Sequence, residues 1–299
     1  MSNLPEPEQT PNGPAYEGRL LERTDEDVAD QGASFDITTL FSRRTVLSLV
    51  GLGVGSVALA GCAADASSTS SVTSTGEIPD ETAGPYPGDG SNGPNALEDS
   101  GIVRSDITSS VGGGLTAAGV PLTFTLALTD MANNDAPFES VAVYAWHCDA
   151  AGLYSLYSSG VENETYLRGV QVADSSGEVT FTSIVPGCYA GRWTHIHFEV
   201  YPDLASISSA SNAIATSQLA LPAAMLDNVY ALPTYDGSAS NLAQISLATD
   251  NVFSDDDAAL QLATVTGSMD SGYRASLAVR VDTNTTPSAG AAPPGGGRP

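Results

Sequence analysis

Apolar residues recur at every second position in short runs through the middle of the chain, and this alternation confines it to pleated sheet. In residues 121–128, Leu122, Phe124, Leu126 and Leu128 alternate with Thr123, Thr125 and Ala127, so one face of an extended segment is buried and the other is not. Residues 141–146 are rich in β-formers, residues 178–184 follow the turn-forming Asp174-Ser175-Ser176-Gly177, and residues 193–201 and 273–281 alternate equally well. Several short strands with few helical runs imply a β-sandwich or barrel, and the expectation is all-β: an antiparallel β-sandwich with short helical or irregular segments. The exception is 212–232, where Ile214, Leu219, Leu221, Met225, Leu226 and Val229 are interrupted by Pro222. A short helix, or two irregular pieces, is expected there over one edge. No internal repeat of fixed period is visible, which removes the main support for solenoids and propellers.

The strands occupy only part of the 299 residues. Residues 1–41 are polar and acidic, and Ser42-Arg43-Arg44-Thr45-Val46-Leu47 then opens an apolar, Gly-containing run that ends in Leu59-Ala60-Gly61-Cys62. As a helix that run would span roughly 22 Å, short of the ~30 Å hydrocarbon core, so it reads as a signal rather than a membrane span. Residues 1–61 resemble a twin-arginine export signal with a bacterial lipobox, which makes Cys62 the lipidated first residue of an exported, extracytoplasmic protein anchored to the cell membrane. Residues 62–76 are nearly all Ala, Ser and Thr and read as a tether, while residues 284–299 are Pro, Gly and Ala without period and read as a disordered tail. One domain, 77–283, remains. The chain has 35 acidic against 10 basic residues, a net charge of -25, which opposes binding to phosphate backbones and makes nucleic acid an unsuitable partner. A solvated, secreted or salt-tolerant surface accounts for spread carboxylates without any partner.

Only three histidines exist, and two of them, His195 and His197, alternate with Ile196, Phe198 and Val200. Positions i and i+2 of a strand share a face, so the imidazoles form a two-pronged grip while the aliphatic residues enter the core. Just upstream, Pro186-Gly187-Cys188-Tyr189-Ala190-Gly191-Arg192 forces a tight excursion that can swing Tyr189 over the same strand. A phenol ionises near pH ~10, but a trivalent cation favours the phenolate, and hard phenolate oxygens favour iron(III). On these residues alone, a turn tyrosine packed on the sheet and a pair of plain surface histidines remain open alternatives.

The segment Pro186-Gly-x-Tyr189-x-Gly-Arg192-x-x-His195-Ile-His197-Phe resembles the metal-binding core of the intradiol ring-cleavage dioxygenases, the family of protocatechuate 3,4-dioxygenase and catechol 1,2-dioxygenase. Trp146-His147-x-Asp149-Ala-x-Gly152-x-Tyr154-Ser and Glu81-Thr82-Ala83-Gly84-Pro85-Tyr86-Pro87 match in the same order upstream. The resemblance implies a non-haem Fe(3+) held by Tyr154, Tyr189, His195 and His197. It further implies a catechol-type aromatic and O2 as substrates, with both oxygen atoms inserted and the ring opened to a muconate-type diacid. By the same likeness Tyr189 is the ligand that yields to substrate and takes a proton, and Arg192 stabilises negative charge on the ring. Gln218 lines the oxygen side, and Tyr86 touches substrate near the pocket mouth. His147 falls on the strand before the first metal tyrosine and reads as structural or supporting.

With Cys62 lipidated, Cys148 and Cys188 remain in a protein bound for an oxidising compartment, and a disulfide between them is expected, with free buried thiols as the alternative. Two other functions stay open: a lipid-anchored module that binds aromatics or glycans without turnover, and a copper or zinc site on the His-x-His pair. Neither requires the two tyrosines.

Overall fold

The structure, a computed structural model, describes Glu8–Thr10, Gly13–Tyr16, Arg19–Leu20 and residues 76–287. The chain divides into two compact units, Met1–Thr69 and Ser70–Pro299. The described residues of the first form a small antiparallel sheet of β1 (Glu8–Thr10), β2 (Gly13–Tyr16) and β3 (Arg19–Leu20). The arginine pair, the lipobox with Cys62, the tether up to residue 75 and the tail from residue 288 lie outside the described residues. Among the described residues no helix is long and apolar enough to cross a membrane.

The second unit is built from two sheets. One has the order β10 (Ala215–Ala220), β9 (His195–Tyr201), β6 (Ala142–Trp146), β7 (Arg168–Val172) and is antiparallel throughout. In the other, β11 (Thr264–Ser268) pairs β12 (Gly272–Val281), which pairs β4 (Pro121–Asp130). On its far side β4 takes both β5 (Ala136–Pro137) and β8 (Glu178–Ile184). The expected antiparallel β-sandwich therefore holds for every pair but one, since β12 runs parallel to β4 from Tyr273↔Leu122 to Val281↔Asp130. Parallel neighbours need a long crossover between them, and here the whole first sheet lies between β4 and β12 in the chain.

Leu122, Phe124, Leu126 and Leu128 of β4 meet Val179 and Phe181 of β8 and the inner residues of β12 in one core with Ile196, Phe198 and Val200 of β9. Phe124 and Phe181, paired in register, stack at 5.0 Å. The opposite face of the first sheet is buried as well, in a second cluster around Tyr144, Trp146, Tyr154 and Tyr201. This second burial hides β10, every residue of which is buried. Apolar and polar positions no longer alternate with exposure on such a strand, so residues 212–232 are not the expected helix or irregular pieces alone. They are a strand, then Pro222, then helix α1 (Ala223–Val229), with a short α2 (Ser238–Leu242) further on. Pro222 fits the helix start because no N–H is needed there. Strand β7 gives equally little local signal, its alternation being broken by Arg168 and Gly169.

At the end of β12, Asp282 N–H and Thr285 Oγ1 both donate to Glu77 Oε1, so the domain's hydrogen bonding runs to Thr285. Phe181→Ala opens a cavity at the Phe124–Phe181 stack and is expected to lower unfolding free energy by about 3–5 kcal/mol, measured by urea denaturation; a loss below about 1 kcal/mol would show that the two sheets do not pack through this pair.

Candidate metal centre

Strand β9 places the histidines as its alternation requires. Ile196, Phe198 and Val200 fill the core between the sheets, and His195 and His197, each 2% exposed, share the other face. His195 Nδ1 lies 2.5 Å from Trp193 O; a carbonyl only accepts, so Nδ1 carries the hydrogen and Nε2 presents a lone pair. That lone pair faces His197 Nε2 at 3.0 Å. His197 is held from beneath by Trp146, its cross-strand partner, stacked at 4.9 Å and 4°. Above it passes the strap of residues 80–88, where a Cβ at Gly84 would stand 3.2 Å from His197 Cε1.

Tyr189 reaches the histidines from the 186–193 turn. The turn is pressed against the preceding one, since a Cβ at Gly187 would lie 2.6 Å from Ala150 O, and Gly187 N–H donates to Asp149 O. From the other side, Ser238 Oγ accepts from Cys188 N–H and Asn241 Nδ2 donates to Cys188 O, both at the α2 segment. Tyr189 Oη ends 3.2 Å from His195 Nε2. Tyr154 follows a turn nucleated by Asp149, whose Oδ1 accepts from Ala151 and Leu153 N–H. Its ring centroid is 5.9 Å from that of Tyr189 and 6.4 Å from that of His197. Tyr154 Oη is buried and has no partner in hydrogen-bond geometry, and neither has His197 Nδ1.

These atoms satisfy one another only in part, Tyr189 Oη meeting His195 Nε2 while its ring lies against Tyr154. If His197 carries its hydrogen on Nε2, it leaves a bare buried Nδ1; if on Nδ1, two lone pairs oppose each other at 3.0 Å. Burial, reinforced for His195 by Arg192 and for His197 by His195, holds both imidazoles well below their ordinary pKa, so both are neutral donors of electron pairs. Burial likewise raises both phenols, Tyr189 to about 12 and Tyr154 well above its ordinary value. Two lone-pair nitrogens and two phenol oxygens converge in one buried space, with Tyr154 Oη and His197 Nδ1 left outside good hydrogen-bond geometry, and the set fits a multivalent cation, which would relieve the nitrogen pair and favour both phenolates. Among the described residues no group of three or more His, Cys, Asp or Glu could hold a metal; the donor set here depends on tyrosine.

Around the four lies a second layer. Arg192 donates through Nε to Asp250 Oδ2 at 2.9 Å and through Nη2 to Gln218 Oε1 at 2.6 Å, and its guanidinium lies 5.8 Å from the Phe253 ring centroid. Gln218 pairs in register with His197 and donates Nε2 to Thr82 O, tying β10 to the strap. Tyr86, on the strap and half-buried, sits 5.0 Å from the Tyr154 ring. His147 is turned elsewhere: Nδ1 donates to Cys148 O and Nε2 pairs with Ser183 Oγ, and burial depresses it to about 4. Cys148 and Cys188 are free buried thiols, not the expected disulfide. Each sulfur is directed at backbone carbonyls instead, Cys148 at Gly187 and Cys188 at Arg192.

Two residues of this layer carry no sequence signal. Asp250, fully buried, accepts from Arg192, from Trp193 N–H at 2.6 Å and from Val252 and Phe253 N–H, so one carboxylate orients the arginine and starts the turn that carries Phe253. Arg168, also fully buried, donates to Tyr86 O, Pro87 O, Tyr144 Oη and both oxygens of Ser155. It joins the strap to the residue after Tyr154. The contacts of Arg168 to the strap and of Asp250 to Arg192 and Trp193 span tens of residues, and nothing near Asp250 or Arg168 in the chain marks them.

Residues 92–200 match the family described as Dioxygenase, a range that contains Tyr154, Tyr189, Arg192, His195 and His197. Among solved structures, an intradiol ring-cleavage dioxygenase from Tetranychus urticae is similar at 22% identity and a TM-score of 0.54, with 71% of this chain and 96% of that chain covered. The dioxygenase Tetur07g02040 is similar at 22% identity and a TM-score of 0.56, with the same shares covered. A comparison with curated protein sequences finds no match. The chain thus carries a Dioxygenase family match over its candidate metal ligands, on the fold of the intradiol ring-cleavage dioxygenases.

Proposed function

We propose that this protein is a non-haem iron(III) dioxygenase that opens catechol-type rings between the two hydroxyl-bearing carbons, inserting both atoms of O2 to give a muconate-type diacid. The observation that carries the proposal is the convergence of Tyr189 Oη, His195 Nε2 and His197 Nε2 with the unpartnered, buried Tyr154 Oη. Two hard phenolate oxygens with two imidazoles suit iron(III) better than copper or zinc, for which the tyrosines would be superfluous. Held there, the ion supplies the Lewis acidity and the electron-accepting character through which a bound catecholate becomes reactive toward O2.

The chain's own residues do the rest. Tyr154, His195 and His197 are each 2% exposed, whereas Tyr189 is half-buried. Tyr189 is therefore the one of the four that would yield to an incoming catechol, its oxygen then being placed to take a proton from a catechol hydroxyl. Arg192 places a fixed positive charge beside His195, where negative charge spreads onto the substrate ring, and Asp250 and Gln218 hold it there so that no reorganisation is needed as charge develops. Tyr86 and Phe253 provide aromatic walls. Export through the 1–61 signal and lipidation at Cys62 belong to the same proposal and rest on the sequence motif.

Iron-supplemented protein is expected to be coloured red to burgundy by phenolate-to-iron absorption and to consume O2 with catechol. Tyr154→Phe and Tyr189→Phe should each shift or abolish the visible band. A colourless protein sinks the ligand set, and a coloured one that consumes no O2 with any catechol favours binding without turnover. Arg192→Met should lower kcat by about a hundred- to a thousandfold while the visible band persists. Asp250→Ala leaves a buried guanidinium unpaired, and a loss of about 3–5 kcal/mol in urea unfolding is expected; an unchanged midpoint would show that Arg192 does not depend on it. Cys62→Ser should move the protein from the membrane fraction to the soluble fraction, and retention at the membrane would count against the lipid anchor.

A further inference from the structure

Whether a ring substituent is tolerated depends on the charges it meets, and the guanidiniums on the site's side of the domain are already engaged. The chain contains no lysine, and the arginines of the second unit's described residues are Arg104, Arg168, Arg192, Arg274 and Arg280. Arg104 donates to the carbonyls of Ser109, Thr165 and Arg168, and Arg168 spends its donors on Tyr86, Pro87, Tyr144 and Ser155. Arg280 pairs with Asp135, and Arg274 is exposed on β12, in the other sheet. Only Arg192 stands at the site. Its Nε is bound to Asp250, its Nη2 to Gln218, and its Nη1 lies 3.5 Å from His195 Nε2, so its charge is already balanced by a fully buried carboxylate.

Among the described residues, by contrast, the Glu81 and Asp255 carboxylates form no ion pair with a guanidinium. Glu81 sits on the strap, half-buried, with its N–H bonded to Thr216 O and the carbonyl of the next residue, Thr82, bonded to Gln218. The turn that Asp250 organises carries Phe253 beside His195 and continues directly into exposed Asp255 and Asp256. Burial first, and then Asp255, push the Glu81 carboxyl up to about 7 against the opposing pull of Arg192. Glu81 is thus within electrostatic reach of both the Arg192 guanidinium and the Asp255 carboxylate.

We propose that the site selects catechols whose ring carries no negative substituent, uncharged or cationic ones, with Glu81 and Asp255 as specificity-determining residues at its mouth. The proposal rests on the ring-cleavage reading above. A carboxylate on the substrate finds no free guanidinium to pair with and comes within reach of two resident carboxylates. An ammonium substituent finds the reverse. Discrimination of this kind needs no shape complementarity, since an unpaired like charge at the rim is itself the rejecting element.

The test compares kcat/KM of the iron-loaded, full-length protein for catechol, 3,4-dihydroxybenzoate and 4-(2-aminoethyl)catechol at low ionic strength. The carboxylated substrate is expected to fall below catechol by about tenfold or more, the aminoethyl substrate to equal or exceed it, and high salt to narrow both differences. Glu81→Gln and Asp255→Asn should each raise the ratio of carboxylated to uncharged substrate severalfold. Asp255 is exposed, so its variant carries the test even if Glu81→Gln does not fold. Equal efficiency with carboxylated and uncharged catechols overturns the proposal, as does a ratio that neither variant moves. If the protein is coloured but turns nothing over, displacement of its visible band by the same three catechols gives the same ranking or its refutation. A colourless protein inactive with all three overturns the ring-cleavage reading instead.

Discussion

Strand β9 is buried on both faces, and its period-two alternation separates two environments that have nothing in common. Ile196, Phe198 and Val200 enter the core between the sheets, while His195 and His197 emerge on the opposite side, beneath the strap and the 186–193 turn. A slip of one residue against β6 or β10 would exchange these sets, burying imidazoles among aliphatic side chains and exposing the core residues to the site. The apolar packing of one face therefore holds the donors on the other. Register does more than that, because Gln218, His197, Trp146 and Arg168 occupy consecutive cross-strand positions. One row across the sheet supplies the partner of Arg192, a candidate metal donor, the aromatic plate behind it and the arginine that anchors the strap.

Loops complete what the sheet begins, and buried polar groups keep them in place. Arg168 and Asp250 are both fully buried charges with full sets of hydrogen bonds. Burying such groups is expensive unless every donor and acceptor is matched, and a matched set tolerates no other arrangement of its partners. That intolerance is useful here. The strap with Tyr86, the turn with Tyr154 and the turn with Phe253 come from distant parts of the chain, and their carbonyls and N–H groups meet on these two side chains.

The same burial sets the electrostatics of the site. Imidazoles removed from water and placed near Arg192 stay neutral, and phenols removed from water resist ionisation. Such a cluster suits a cation that accepts nitrogen lone pairs and stabilises phenolate. On the proposal above, Glu81 and Asp255 beside an already paired Arg192 leave the entrance negative, which would tie the acidic composition of the chain to the ligands the site admits.

By itself, the sequence determined the β-class through the alternation of β4, β8, β9 and β12, and it put both histidines on one face because that follows from strand geometry alone. Tyr154, Tyr189, Arg192 and Gln218 were legible through family resemblance and local turn chemistry, and the structure brings them together around His195 and His197. Tertiary structure alone decided the parallel β4–β12 pair, the strand at Ala215–Ala220 and the free state of Cys148 and Cys188. In β10 a second buried face erased the alternation that reveals a strand, and the thiols are directed at carbonyls that only the folded turns supply. Asp250 and Arg168 were invisible for the same reason: an ordinary Asp and an ordinary Arg become organising charges only when folding removes them from water and surrounds them with partners from distant segments.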